Sequence, residues 1–373
     1  MRQYDYSALT AALTDEDRLR LGSSWLDRFR AKYIAIGGAF VCAAGLFLWL
    51  SGTFISSMTF NGVSGMVMGG GFVNVGSLLM VAGVVLLLVL AVMYGKRELK
   101  KRRLRLERFA AANGAIYRYD TPPNGLKGMI FDEGSNREVL DALTFSEGFE
   151  IGNYQYVTGS GKNRRTNTYS YVRISFPRHL PNMVLDSKQN NFLGMTNLPD
   201  VYNAAQKLQL EGDFNQHFDV YVPAGYERDA LYVLTPDVMA MLIDLGGNYD
   251  MEVVDNEFYI YYPVHLKLDM PLMVERTITM VARVMDEFGR QVGRYSDERA
   301  ATQSLGAVVA PEGRRLKRGV NWKIAVAVVI FIAVDVLLFL APNDYKILLM
   351  LAHGALIWSV VIFAVVSSVR RRR

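Results

Sequence analysis

Four apolar stretches, each about as long as a membrane-crossing helix, constrain this chain more than any other feature. A helix needs roughly 20 apolar residues to cross the hydrocarbon core of a bilayer. The four stretches lie at residues 33–55, 72–94, 322–341 and 347–369. Hydrophobic residues make up 51% of the chain and charged residues 21%, a more apolar balance than in a typical soluble domain. The sequence therefore predicts an integral membrane protein with four transmembrane helices.

The positions of Lys and Arg predict the orientation, because positively charged loops stay on the cytoplasmic side. Residues 96–108 contain eight basic and two acidic residues, residues 314–318 contain four basic residues, and residues 370–373 are all Arg. The connectors at 56–71 and 342–346 contain no basic residue and one Lys, respectively. We therefore expect both termini and the large middle domain to lie in the cytoplasm.

The predicted domains follow from these boundaries. They are a cytoplasmic amphipathic leader at 1–32, a transmembrane hairpin at 33–94, a basic juxtamembrane helix at 95–113, a cytoplasmic α+β domain at 114–295, a linker with a basic flank at 296–320, a second transmembrane hairpin at 321–369 and a basic tail at 370–373. The leader has apolar residues at roughly helical spacing between Leu19 and Phe29, which predicts an amphipathic helix on the inner membrane surface, with docking on the domain as the alternative.

Strand and helix signals alternate in the middle domain, which predicts an α+β fold inserted between two transmembrane helical hairpins. Aromatic and β-branched runs predict strand pairs at 148–157 with 168–176, at 217–223 with 230–234, and at 249–254 with 257–262. Thr235 as N-cap, Pro236 in the first turn and Gly246-Gly247 as the stop predict one helix. Apolar spacing over 271–290 predicts a second, amphipathic helix.

Charge and cysteine content exclude several classes of function. Residues 109–313 contain 17 basic and 27 acidic residues, a net charge of −10. A nucleic-acid surface would need clustered Lys and Arg on the folded domain, so no nucleic-acid partner is expected. The single cysteine, Cys42, excludes a disulfide framework and a Cys-based zinc site.

The basic runs beside the apolar stretches are interpreted as contacts to anionic lipid headgroups. They contain the membrane-flanking residues Lys100, Lys101, Arg102, Arg103, Arg314, Arg315, Lys317 and Arg318. The hairpin tip carries Lys162, Arg164 and Arg165, which could equally contact headgroups or an acidic protein partner. The tip sequence GSGK lacks the spacing and the Ser or Thr of a phosphate-binding loop, so nucleotide binding is not expected there.

Asp335 and His353 form the one predicted intramembrane polar pair. At about 1.5 Å per helical residue, each lies roughly 9 Å from the outer end of its span. The short connector makes the two helices antiparallel neighbours, so we expect Asp335 and His353 to be in contact. An ionisable group inside a span needs such a partner. The pair is either a structural clip between the helices or part of a proton or ion pathway.

No local spacing predicts a catalytic centre, a metal site or a cofactor. His179, His217 and His265 each lack a second ligand three or four residues away. Small residues in the first apolar stretch, including Gly37, Gly38 and Gly45, allow close helix packing within the bundle or in a homo-oligomer.

Three phrases in the middle domain carry a family resemblance. They are NYQYVTGSGKNRRTNTYSYVRISFPRHLPNMVLDS, LEGDFNQHFDVYVPAGYERDALYVLTPDVMAMLIDL and DMEVVDNEFYIYY. Together, over about residues 145–262, they resemble uncharacterised actinobacterial-type four-pass membrane proteins and, more distantly, a broader bacterial domain family of unknown function. The resemblance implies a bacterial plasma-membrane location and brings no catalytic residues.

These observations favour a non-enzymatic scaffold or regulatory protein that acts by binding an unidentified protein through its cytoplasmic domain. The alternative is a transporter or channel component that uses Asp335 and His353. A third hypothesis is a membrane-bound hydrolase whose site is assembled from distant residues.

Overall fold

The computed structural model describes residues 2–21, 31–57, 64–191, 196–200, 202–300, 309–314 and 316–317. The fold is α+β, as predicted, with two compact units. Unit 1 contains the described residues up to Asn124 together with Gly134–Ser175 and Tyr262–Asp286. Unit 2 contains Gly125–Glu133, Phe176–Tyr261 and the described residues from Glu287 onward.

Unit 1 begins with helices α1 (Ser7–Thr10), α2 (Asp15–Leu21), α3 (Ala31–Ser57) and α4 (Ser64–Asn113). Helix α4 runs without a break from the second apolar stretch through the basic juxtamembrane segment. It ends before Gly114, whose φ of 63° is a left-handed conformation that glycine adopts readily. The predicted basic helix that ends near Asn113 is therefore confirmed.

Among the described residues, one helical segment is long and apolar enough to cross a membrane. It is Asn74–Asn113, whose most apolar window has a mean hydropathy of 2.9 and is 11% buried. The apolar segment Ile36–Ser51 of α3 is shorter. The third and fourth predicted spans and the tail lie outside the described residues, so the four-span topology stays a prediction.

Helices α3 and α4 pack closely through small residues. A Cβ atom added to Gly45 would lie 2.8 Å from the carbonyl oxygen of Gly76, and one added to Gly76 would lie 2.6 Å from the backbone nitrogen of Trp49. Glycine therefore lets the two backbones approach each other at this point. Among the small residues of the first apolar stretch, Gly38 and Gly45 face α4, whereas an added Cβ at Gly37 would contact nothing.

The sheet of unit 1 is antiparallel, with β1 (Ile116–Thr121), β2 (Ser135–Phe145), β3 (Phe149–Thr158) and β4 (Arg165–Ser175) in that order. Strands β3 and β4 form the hairpin predicted from the aromatic runs. The last turns of α4 bury Leu106 and Phe109 completely. Burial of these apolar side chains joins the end of α4 to the core of the unit.

The start of the leader also packs on unit 1. The Tyr6 ring stacks on Phe109 with 5.9 Å between ring centroids, and the backbone nitrogen of Asp5 donates to Asn113 Oδ1 at 2.7 Å. Of the two placements considered for the leader, docking on the domain is the one seen for these residues. Residues 22–30 of the leader lie outside the described residues.

The sheet of unit 2 is also antiparallel and has the order β9-β8-β5-β7-β6. Its strands are β5 (Met183–Ser187), β6 (Lys207–Leu208), β7 (Phe218–Tyr221), β8 (Asp250–Val254) and β9 (Glu257–Tyr262). Strands β8 and β9 form the predicted tight hairpin, and Asp255 in its turn has a φ of 56°. Left-handed Asp is common in such turns.

The remaining helices are α5 (Phe214–His217), α6 (Glu227–Val233), α7 (Pro236–Gly246) and α8 (Pro271–Arg294), with 3-10 turns at Met129–Phe131, Gly161–Asn163, Ala204–Gln206 and Pro311–Arg314. The predicted start of α7 is confirmed, since the Thr235 side chain accepts a hydrogen bond from the backbone nitrogen of Val238. The amphipathic helix predicted over 271–290 is α8.

The predicted strand at 230–234 is wrong, because these residues belong to helix α6 and the residue that ends it. Ala230, Val233 and Leu234 are buried, whereas Leu231 and Tyr232 are about half exposed. Burial at positions i, i+3 and i+4 is the pattern of a helix face and not of a strand. A five-residue apolar run allows both interpretations until its partners are known.

Candidate functional site

Several predicted site residues lie outside the described residues. They are Asp335 and His353 of the intramembrane pair, and Arg315 and Arg318 of the second basic flank. The contact between Asp335 and His353 therefore stays a prediction.

The basic residues at the end of the apolar part of α4 contact acidic side chains of unit 1. Arg102 bridges two carboxylates, with its Nη1 2.6 Å from Asp141 Oδ2 and its Nε 3.2 Å from Asp269 Oδ1. Arg103 donates to Asp120 and lies 4.3 Å from the centroid of the Tyr119 ring. These two arginines fix α4 to the sheet of the unit, a role that their spacing in the sequence did not indicate.

The lysines of the same run differ from the arginines. Lys100 is exposed, and Lys101 pairs with Glu98 within the helix at 2.6 Å. In the second flank, Arg314 Nε lies 3.5 Å from Asp255 Oδ1, and the backbone nitrogen of Lys317 donates to Gln206. Headgroup contact of these residues stays a prediction.

The hairpin tip between β3 and β4 presents Lys162, Arg164 and Arg165 to solvent. Within the part of the chain that the structure describes, none of these three side chains has a hydrogen bond or an ion pair. The tip is therefore a cluster of positive charge without an ionic partner among the described residues.

A row of aspartates crosses the sheet of unit 2 and was not predicted. Asp186 on β5 is the register partner of Asp219 on β7. On the other side of β5, the pairing of Leu185 with Met251 places Asp186 beside Asp250 at the start of β8. Residues opposite one another on neighbouring strands have side chains on the same face, about 5 Å apart at Cβ. Three like charges in one row are unfavourable without partners.

The three aspartates have different partners. Asp219 is paired with two lysines, 3.0 Å from Lys188 Nζ and 2.8 Å from Lys207 Nζ. Asp186 and Asp250 are 4% and 1% exposed. In the described residues neither of these two carboxylates has an ion pair with a basic side chain, so their charges are compensated only by hydrogen bonds.

Those hydrogen bonds come from the backbone of Ser187, the last residue of β5, and from side chains of the segment that follows it. Asp250 Oδ1 accepts from the Ser187 backbone nitrogen at 2.9 Å, and Asp250 Oδ2 accepts from Asn190 Nδ2 at 2.8 Å. Side chains of Asn191 and Thr196 hydrogen-bond Asp186. The Oδ1 atoms of Asp186 and Asn191 are buried and accept no hydrogen bond from the described residues.

Both carboxyl groups are consequently weak acids in the folded protein. Burial, and then the charge of Asp250, raises the pKa of Asp186 to about 7. Burial raises the pKa of Asp250 to about 6. Loss of hydration disfavours the ionised form, and a neighbouring carboxylate disfavours it further. The pair therefore retains a proton at pH values where ordinary aspartates are fully ionised.

A third buried acid lies two residues further along β8. Glu252 Oε2 accepts hydrogen bonds from Tyr261 Oη at 2.6 Å and from the Met129 backbone nitrogen at 2.8 Å. Burial raises the pKa of Glu252 to about 7. Because Asp250 and Glu252 alternate with buried Met251, both face the same side of the sheet. This acidic face is the most chemically distinctive part of the described residues.

Unit 2 also has an open groove of about 670 Å³. Its lining residues are Arg228, Asp229, Tyr232, Arg294, Tyr295, Ser296, Glu298 and Arg299. Arg299 Nη1 lies 2.9 Å from Asp229 Oδ2, and Tyr295 donates to the same aspartate at 3.0 Å. Arg299 and Tyr295 therefore both bind the carboxylate of Asp229 in this groove.

Comparison with known proteins gives no functional assignment. No protein-family model matches the chain, and no curated protein matches it. One solved structure is similar to part of the chain, the mycobacterial trehalose monomycolate transport factor A, TtfA. The identity is 12%, the alignment covers 52% of this chain and 97% of that chain, and the TM-score is 0.33. A likeness of this size carries no argument about function.

Proposed function

We propose that the protein is a four-pass bacterial plasma-membrane protein whose cytoplasmic α+β part binds a protein partner, as a scaffold or regulatory component. One observation carries the proposal. Helix α4 is continuous over Ser64–Asn113, with an exposed apolar part and a part that is packed and ion-paired in unit 1.

The apolar part of α4 supports placement in a membrane. Large apolar side chains along it face outward, including Leu78 at 70% and Leu88 at 61% exposure. Exposed apolar surface of this extent is unfavourable in water and favourable in a bilayer. The following basic residues are suited to the cytoplasmic headgroup region.

The hairpin tip supports the binding role. Lys162, Arg164 and Arg165 are exposed and make no ionic contact within the described chain, so their charge is available to an acidic partner surface. Substitution of these side chains should leave the fold unchanged, since surface substitutions of this kind usually change stability by less than about 0.5 kcal/mol.

The test is crosslinking in intact cells with tagged full-length protein, followed by identification of what is recovered with it. We expect a recurrent protein partner. The combined changes Lys162→Ala, Arg164→Ala and Arg165→Ala should reduce its recovery by about tenfold, which corresponds to about 1.4 kcal/mol of binding free energy.

A matched control removes the same charge elsewhere on unit 1. Lys267, Arg276 and Arg283 are exposed, and their combined change to Ala should leave recovery of the partner unchanged. Equal losses in both triple variants would indicate a general charge effect and contradict a specific surface. Recovery of the protein alone would overturn the scaffold proposal and direct attention to flux measurements on Asp335→Asn.

A further inference from the structure

The acidic face of unit 2 contains oxygen atoms that lack donors. Asp186 Oδ1 and Asn191 Oδ1 are both buried and accept no hydrogen bond within the described chain. Asp186 itself is 4% exposed and lies beside Asp250 in the aspartate row. A buried acceptor without a donor is unfavourable, and more so when the acceptor is charged.

The surrounding residues offer oxygen atoms but no compensating positive charge. The nearby lysines, Lys188 and Lys207, are both bound to Asp219 at the outer end of the row. Asp186 and Asp250 therefore have hydrogen-bond partners but no basic side chain to balance their charge. Two adjacent buried carboxylates together with amide oxygens form the ligand chemistry of a hard cation.

We propose that Asp186, Asp250 and Asn191 form a binding site for a divalent cation, with Ca²⁺ as the best match. Calcium takes six to eight oxygen ligands in irregular geometry and accepts carboxylates, side-chain amides, backbone carbonyls and water together. Magnesium requires near-octahedral geometry and keeps most of its waters, which suits a buried site with amide ligands less well.

The composition of this ligand set differs from that of common metal centres. No group of three or more His, Cys, Asp or Glu side chains among the described residues is placed to hold a metal ion. The proposed site has two carboxylates and completes its shell with amide oxygens. The inference is independent of the proposed scaffold function, because it concerns ligand binding by unit 2 and not partner capture.

The experiment uses full-length protein in detergent, first stripped with EDTA and then titrated with CaCl₂. Isothermal titration calorimetry should show saturable binding with one ion per chain, and the thermal unfolding midpoint should rise with calcium concentration. MgCl₂ should bind more weakly. Asp186→Asn should abolish the calorimetric signal and the calcium-dependent rise, and Asn191→Ala should weaken binding by roughly tenfold or more.

Asp219→Asn is the matched control, because Asp219 belongs to the same row but is held by two lysines. This variant should keep calcium affinity within a few-fold of the original protein. The folded state of Asp186→Asn is checked by its own unfolding midpoint, which should be no lower than that of the stripped protein.

Two results would overturn the proposal. One is the absence of saturable calcium binding in the unaltered protein, which would leave the carboxylate pair as a proton-binding group only. The other is an equal calcium response in the unaltered protein and in Asp186→Asn, which would place the ion elsewhere.

Discussion

Glu150 in unit 1 and the pair Asp186 and Asp250 in unit 2 are buried acidic side chains whose charges are compensated in opposite ways. In unit 1, Glu150 is fully buried and accepts hydrogen bonds from Thr144 and Tyr171, each at 2.6 Å, and from Arg118 at 2.8 Å. In unit 2, Asp186 and Asp250 are buried side by side without a basic partner. All three carboxyl groups are almost fully buried. The two sites therefore differ in the groups that surround the carboxylates and not in burial.

The pKa values of these buried acids depend on the groups that surround them. Burial by itself raises the pKa of Glu150, but the hydrogen bonds from Thr144 and Tyr171 and the charges of Arg173 and Arg118 outweigh it, and the pKa lies below the ordinary 4.5. The pKa of Asp186 is instead raised to about 7. A buried acid with basic partners has a structural role, whereas a buried acid without a basic partner is a candidate for ligand binding.

The largest expected effect is at Glu150. We expect Glu150→Gln to reduce the free energy of unfolding by about 3 kcal/mol, because the change removes a buried charge from its hydrogen-bonded arginine and tyrosine partners. Denaturant unfolding of the full-length protein in detergent measures this. Exposed Glu298→Gln is the control, with an expected change below about 0.5 kcal/mol. A change as small at Glu150 would contradict the structural role assigned to it.

The loss at Glu150 should depend on pH in a defined direction. A carboxyl whose folded-state pKa is lowered stabilises the fold above its unfolded pKa, and this contribution is lost as the pH falls through the folded-state pKa. The difference between the unaltered protein and Glu150→Gln should therefore be full at pH 7 and shrink below about pH 4.5. A difference that grows in acid would show that the pKa is not lowered.

Arg102 is the next test, since it pairs with the buried carboxylate of Asp141. We expect Arg102→Met to reduce the free energy of unfolding by about 2 kcal/mol, because the long apolar side chain keeps the packing but leaves Asp141 without a positive charge. The same unfolding measurement applies. The double variant Arg102→Met with Asp141→Asn should recover part of the loss; no recovery would argue that the ion pair is unimportant.

At Asp186 in unit 2 we expect the opposite effect, an increase in the free energy of unfolding on substitution. We expect Asp186→Asn, measured in EDTA, to raise the free energy of unfolding by about 1–2 kcal/mol at pH 8, because it removes one of two adjacent buried charges. A raised folded-state pKa makes stability fall as the pH rises from about 4 to about 7. The gain from the substitution should therefore be smallest near pH 4. Destabilisation by Asp186→Asn at pH 8 would contradict the expected difference between Glu150 and Asp186.

The smallest effect is expected at the start of α7. Thr235→Ala removes the hydrogen bond to the Val238 backbone nitrogen and should reduce stability by about 1 kcal/mol. Thr235→Ser keeps the acceptor and serves as the control. Amide hydrogen exchange should show the loss first in α7, and a loss spread evenly over unit 2 would argue against a local cap.

Local patterns predicted those elements whose signals are complete within a few residues. The N-cap and proline of α7, the aromatic strands β3 and β4, and the turn at Asp255 were all visible in the sequence. The run Ala230–Leu234 was assigned wrongly because five apolar residues fit a strand or a helix equally well. Strands β1 and β2 lacked a signal as strong and were not predicted.

The aspartate row could not be predicted, because Asp186, Asp219 and Asp250 are about thirty residues apart in the chain. They meet only through the antiparallel register of β7, β5 and β8. A register is set by long-range pairing and does not appear in the spacing of single residues. The ion pairs of Arg102 with Asp141 and Asp269 could not be predicted for the same reason. The basic run was interpreted only as a contact to lipid headgroups, because it follows an apolar stretch.

The length of α4 has a mechanical consequence under the proposed membrane placement. Fifty residues at 1.5 Å each make a rod of about 75 Å, of which a bilayer core takes about 30 Å. A change in tilt of about 20°, the average inclination of such helices, would swing the far end through roughly 15 Å. Because Arg102 and Phe109 attach the C-terminal end of α4 to the sheet of unit 1, the sheet would move with the helix. Helix tilt adjusts to bilayer thickness. The thickness of the bilayer would therefore determine the position of unit 1 relative to the membrane surface.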